Sequence, residues 1–488
     1  MKTFELTIYW FLWISSLCYA LYSFINRSKS LIQLLDPKDV AKGWPLIGGF
    51  RDVSDYEWSA IRHTFLKNFV FIVVYILLTQ LITKYKVKYL SHFFIIYTSL
   101  AIIKVLNVKS LLIVWINIIV SLVIHIFGKQ YLCYSLFVFT LYSVHNSLIF
   151  PVKTWLVLNE RQQFLFEVCM AWLNAKCLSL SIDRIKSHTH MSLKSHQLIQ
   201  CLAYCLYLPA FFTGPIHQYN TFISDMDKLK SDWTSDRLMA IVGQIFRFTF
   251  WTIIYELLLH FVFSSSVQFY PEITQMLDTW SLCGLGFALP LMFFVKYFIL
   301  YGSVATIAMI DGFEIPPPPK CIARIHSCVY LWRTFDRGLH LWLTKYFYKP
   351  IIGSQWNPLR KLLAGFICFS CICLWHGMDR AVVVWTALNF FGVSAEIIGT
   401  SIQTTNIWLS LRSHISVEMN DRLNALISSP FFAIAYASNL YFLSNWDVGL
   451  CFIQRIFTSF PTPLLPTLLI MYFGCNVSAH CIQREKTK

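Results

Sequence analysis

Apolar runs of membrane-spanning length recur from one end of the chain to the other. They fall at residues 7–25, 65–83, 90–106, 111–127, 131–150, 163–181, 196–213, 238–263, 280–310, 360–376, 381–399, 424–444 and 463–480. A helix of about 20 apolar residues crosses the hydrocarbon of a bilayer. The pattern therefore predicts an all-α polytopic membrane protein with about ten to twelve membrane segments, some of them re-entrant. Polar stretches at 26–64, 182–195, 220–237 and 400–423 read as loops or extramembrane pieces. Gly214-Pro215 ends the run before it, and the Pro316–Pro319 tract is a stiff connector that cannot be helix. The first run reads as a retained helix rather than a cleaved leader, because Lys2 is offset by Glu5 and leaves a poor basic flank. No internal repeat is visible, and lysine and arginine do not alternate between successive loops.

One stretch breaks the pattern. Residues 321–352 carry Arg324, His326, Arg333, Asp336, Arg337, His340 and Lys345, too many charges for a plain span, yet they are too aromatic for a free loop. Asp336 and His340 are four apart, so on a helix they share a face. The expectation is a short or re-entrant element facing a polar cavity inside the protein, where charged or irregular backbone is tolerated at membrane depth. The next apolar run, 360–376, ends at Trp375-His376-Gly377.

Composition sharpens this picture. Of 488 residues 56% are apolar and 13% charged, against about 25% charged in soluble domains, which excludes the soluble globular class. We expect one membrane-embedded domain over residues 1–488, with its core at about 196–450. The net charge of +15 fits basic loops against an anionic leaflet, or a basic mouth for an anionic substrate. Nucleic acid is not expected, since no basic block is interleaved with stacking aromatics outside the apolar runs. The 15 cysteines lie mostly in apolar runs and act there as small hydrophobes. Cys368, Cys371 and Cys373 have no histidine at ligand spacing, and His188, His190 and His196 read as a solvated loop rather than a metal site. Lys104, Glu167 and Lys176 interrupt apolar runs and are expected to pair with one another or to snorkel.

A titratable side chain at membrane depth is costly, which makes Asp336 and His376 the candidates for chemistry. Alone, a histidine such as His376 on an apolar helix is more often a satisfied core residue than a catalyst, and Asp336 reads equally as half of an ion pair with Arg333 or Arg337. Together they suit acyl transfer from a thioester. The acceptor loses a proton as it attacks, and imidazole and carboxylate are the groups that move or stabilise such charge.

The run Trp332-Arg333-Thr334-Phe335-Asp336, with Gly338-Leu339-His340, Pro350-Ile351-Ile352-Gly353-Ser354-Gln355 and Trp375-His376-Gly377, resembles the membrane-bound O-acyltransferase family. The likeness continues through Trp385-Thr386-Ala387-Leu388-Asn389, Gly392-Val393, Glu396 and Ser438-Asn439-Leu440. It extends to Gly214-Pro215 and, more thinly, to Asp55-Tyr56-Glu57-Trp58-Ser59. Within the family the run is most similar to the branch that palmitoylates the N-terminal cysteine of secreted signalling proteins of the Hedgehog type, and EGF-type ligands in an insect context. The resemblance implies a helical fold with a central tunnel, palmitoyl-coenzyme A as donor, and a secreted acceptor protein. It implies residence among the lipids of the endoplasmic reticulum or Golgi membrane. His376 matches the signature histidine and Asp336 the aspartate of this branch, as the catalytic pair. Trp332 is similar to an aromatic gate between donor and acceptor, with Arg333, His340, Asn389 and Asn439 as further substrate-binding positions. Cys321 falls where relatives ligate haem iron, although the chemistry itself needs no cofactor. Other readings are an acyltransferase of the same family acting on serine or lipid, a silent relative lacking the histidine, and a transporter. His376 stands against the silent relative, and the missing repeat stands against the transporter.

Overall fold

The structure, a computed structural model, describes residues 3–145, 152–188, 194–229, 233–353, 357–460 and 463–486. His190, the Ser354-Gln355 end of the 350–355 motif and the far end of the 131–150 run lie outside them. Among the described residues ten helices are long and apolar enough to cross a membrane, and the strand content is one short hairpin, Val40–Lys42 with Phe50–Asp52. The all-α polytopic expectation holds.

Two of the long helices are buried in protein and the others face outward. The buried pair, Glu160–Lys186 and Thr279–Asp311, form the middle of the molecule. The first is capped by Asn159, whose side chain accepts from Gln162 while Gln162 reaches back. The second starts at Asp278, which accepts from the N–H groups of Trp280 and Ser281, and stops at Gly312 in the left-handed region. Helices Phe69–Lys86, Val108–Ile126 and Ser235–Leu258 leave Val70, Ile116 and Phe246 exposed. Lipid is the solvent on those faces, and the backbone is satisfied within each helix.

Several boundaries differ from the sequence pattern. The run at 196–213 is not a span: helix Ser195–Cys205 covers 11 residues, and the chain then turns through Leu208–Ala210 into a buried loop. Apolar residues here serve packing against protein, which hydropathy alone cannot tell from lipid contact. The polar stretch 26–64 holds the hairpin and helix Tyr56–Lys67, and 400–423 holds a short helix, Asn406–Ser413. Lys104, Glu167 and Lys176 do not pair with one another. Lys104 lies over the Phe71 ring, Glu167 accepts from Gln163, and Lys176 is buried with its ammonium 5.9 Å from the centre of the Phe211 ring.

Residues 321–352 form the expected broken element. Helices Cys328–Thr334 and Arg337–Leu343 are joined at Phe335-Asp336, and a wide turn at Thr344–Tyr348 leads to Lys349–Ile352. Lys345 and Tyr346 of this element both reach the buried Asp183, at 2.7 and 2.8 Å.

Candidate active site

Asp336 occupies the N-cap of helix Arg337–Leu343, where its Oδ1 accepts from the Leu339 N–H at 2.8 Å. Its Oδ2 accepts from the Tyr301 hydroxyl at 2.9 Å. No ion pair joins it to Arg333 or Arg337 among the described residues, and both arginines are exposed. Asp336 is thus held by neutral donors alone. Close packing fixes it there. A Cβ at Gly338 would sit 3.1 Å from the Ile216 backbone, and one at Gly214 would sit 2.6 Å from Trp172 and 2.9 Å from the Tyr301 hydroxyl. The Gly214-Pro215 loop therefore wedges between Tyr301 and the aspartate's helix.

His376 is the C-cap of helix Pro358–Trp375. The helix ends in a Schellman turn: Gly377 N–H donates to Leu374 O at 3.3 Å and Met378 N–H to Cys373 O at 3.2 Å, with Gly377 at φ +96°. The glycine permits the turn that leaves the histidine on the cavity wall. The imidazole stands edge-on to Phe442 and Trp385, with centroids 4.9 and 5.5 Å away. Trp385 stacks on Phe442 at 4.1 Å and donates to Asn439 at 3.2 Å. His145 Nε2 donates to the Trp375 carbonyl at 2.9 Å, one residue before the histidine. Gly377→Ala is expected to cost about 1–2 kcal/mol, because the added Cβ meets nothing closer than 3.6 Å and the penalty is backbone strain. Turnover should fall with it, and Gly377→Asn, which tolerates the left-handed region, should recover most of both. Melting curves and acyl-transfer rates of the two variants check this.

Both groups face one cavity of about 480 Å³, within the usual 300–1,000 Å³ of ligand sites. Trp332, His340, Asn389 and Asn439 line it as well. Trp332 donates to Asn389 at 3.1 Å, and Asn389 in turn donates to Ser438 and to the Trp385 carbonyl. The two asparagines hold the two indoles in place. Arg333 is exposed and does not line the cavity. Glu396 and Gly392 serve docking. Glu396 accepts from the N–H groups of Cys328 and Val329 and from the Ser327 hydroxyl, capping the helix that carries Trp332, and Gly392 packs on Cys328.

Cys321 is half-buried beside this segment and lines neither the central cavity nor the small one between Val108–Ile126 and Glu160–Lys186. Its neighbours Ile322 and Ala323 line the central cavity, so this segment runs along the cavity wall.

The structure adds residues that sequence reasoning passed over. Lys296, in the middle of Thr279–Asp311, pairs with Asp55 at 2.9 Å and Glu57 at 2.8 Å. Tyr297 donates to Glu57 at 2.8 Å, and Tyr301 follows one turn later on the same face. The Asp55–Ser59 motif thus docks helix Tyr56–Lys67 on the central helix and brings Glu57 to the cavity wall. A lysine inside a 33-residue apolar helix was the signal for this network. Lining also comes from Trp13, Phe287, Phe432 and Tyr436, an apolar end remote from Glu57.

Residues 118–438 match the model of the MBOAT, or membrane-bound O-acyltransferase, family. The protein-cysteine N-palmitoyltransferase HHAT of Mus musculus is 26% identical over 445 residues, covering 88% of this chain and 89% of that protein. The protein-cysteine N-palmitoyltransferase Rasp of Drosophila melanogaster is 25% identical over 287 residues, 58% of this chain and 56% of that one. The membrane-bound O-acyltransferase gup1 of Schizosaccharomyces pombe is 24% identical over 375 residues, 65% and 62% respectively.

Proposed function

The chain belongs to the membrane-bound O-acyltransferase family, and from that premise we propose that it transfers palmitate from palmitoyl-coenzyme A to the α-amine of an N-terminal cysteine. The acceptor is a secreted protein of the Hedgehog or EGF-ligand type, met in the endoplasmic reticulum membrane. The observation that carries the reading is the placement of Asp336 and His376 on one largely apolar cavity.

The chemistry follows from these two groups. An α-amine has pKa about 7.7–8.0, so at neutral pH most of it is protonated and must lose that proton to attack. Asp336 accepts it. The amine nitrogen bonds to the thioester carbonyl carbon, the oxyanion takes a hydrogen bond from the His376 N–H, the C–S bond breaks as the carbonyl re-forms, and the nitrogen's second proton passes to the departing sulfur, so coenzyme A leaves as the thiol and the product is a neutral amide. Of the carboxylates on the wall Glu57 is a poor base, because Lys296 already neutralises it. The apolar end by Trp13, Phe287 and Phe432 holds the acyl chain, at about 0.8 kcal/mol for each methylene buried.

The test is purified enzyme in detergent with labelled palmitoyl-coenzyme A and a short peptide beginning with cysteine, beside the same peptide acetylated at its N-terminus. Label is expected on the free-amine peptide, stable to hydroxylamine as an amide is. Label on serine peptides or on lipid instead would place the chain with acyltransferases of another acceptor class and overturn the reading.

A further inference from the structure

We infer that Tyr301 is a positioning residue for the proton transfer: its hydroxyl holds the Asp336 carboxylate aimed into the cavity and favours its charged, proton-accepting form. The inference rests on Asp336 as the base. Tyr301 is 3% exposed, lines the cavity, and its hydroxyl donates to Asp336 Oδ2 at 2.9 Å. A phenol keeps its own proton at neutral pH, so the bond is a donor to the ionised carboxylate and stabilises that form.

The surroundings show why this donor counts for so much. Two tyrosines one turn apart on Thr279–Asp311 each hold a carboxylate, Tyr297 that of Glu57 and Tyr301 that of Asp336. Glu57 also has the Lys296 ammonium at 2.8 Å. For Asp336 the donors are N–H groups of its own helix, chiefly that of Leu339, and one side chain among the described residues, Tyr301. Arg333 and Arg337 on its own segment are exposed, and besides Glu57 and Tyr297 the titratable groups lining the cavity are His145, Glu167, His326, Cys328, His340, His376 and Tyr436. The Tyr301 hydroxyl also lies against Gly214, where an added Cβ would sit 2.9 Å from it. When the amine proton arrives on Asp336 the phenol stays protonated, and the proton then leaves from the carboxyl.

The decisive measurement is the pH profile of kcat, which reports groups in the substrate complex. Tyr301→Phe is expected to move the acid limb upward by about one to two pH units, the worth of one hydrogen bond to a charged group. The KM for palmitoyl-coenzyme A should stay within about twofold. A merely structural role would lower kcat at every pH and leave the limb in place, and that result overturns the inference. Should Tyr301→Phe fail to fold, 3-fluorotyrosine at the same position, a more acidic donor, should move the limb to lower pH, and an unmoved limb again overturns it. Asp336→Asn run alongside separates the two readings. If that variant keeps wild-type kcat, the assignment of the base has failed; if it is inactive while the Tyr301 variants keep the wild-type limb, only the role of Tyr301 has.

Discussion

Asp336→Asn lowers kcat by about 10²–10⁴-fold, the usual contribution of a positioned general base, while leaving the fold intact. The separation of activity from stability follows from the two jobs the side chain does. As an N-cap it accepts from the Leu339 N–H, and asparagine accepts there equally well. Its amide nitrogen takes the place of Oδ2 and donates to the Tyr301 hydroxyl oxygen, so the packing of Gly338 on Ile216 is undisturbed. What asparagine cannot do is accept a proton at neutral pH. Melting temperature in detergent should therefore stay close to wild type while single-turnover palmitoyl transfer collapses. Turnover within a few-fold of wild type would mean that the amine loses its proton elsewhere, and Glu57 and Glu167 would then be the carboxylates on the wall to examine.

How much of this was legible in the sequence varies with the kind of signal. Apolar periodicity gave the spans, because a helix in lipid must be apolar for its whole length. It failed at 196–213, where Leu206 and Phe211 are apolar for the sake of a protein interior. The broken element at 321–352 was legible because charge and aromatic content there fit neither lipid nor water. Asp336 and His376 stood out as titratable groups at depth. Their partners did not, because each lies far away in sequence: Tyr301 is 35 residues from Asp336, and Glu57 is 240 residues from Tyr297. A tyrosine in an apolar helix looks like any interfacial aromatic until its hydroxyl is seen to have an acceptor. Trp332 illustrates the converse. Its place on the wall was expected, whereas the reason it keeps that place, the Asn389 and Ser438 bonds, required the fold.

Lys296→Met unfolds the protein or leaves it marginal, a loss of about 3–5 kcal/mol, because it strands two carboxylates without their cation. The lysine is 5% exposed and sits between Asp55 and Glu57. The three charges have left water together, and removing one restores none of the lost hydration to the others. The damage should spread along helix Tyr56–Lys67, since Asp55 is also its N-cap, accepting from the Trp58 N–H at 2.9 Å. Trp58 in turn donates to Glu256, which holds Arg51 and Arg62. Adding Asp55→Asn and Glu57→Gln to Lys296→Met removes the stranded charge while keeping the cap and the acceptor for Tyr297, so the triple variant should melt well above the single one. Size-exclusion profiles and melting curves in detergent compare the two. If the triple variant is as unstable as the single, the lysine acts through its packed stem rather than its charge. If it is restored in stability and also in turnover, Glu57 takes no charged part in the chemistry, as expected with Asp336 as the proton acceptor.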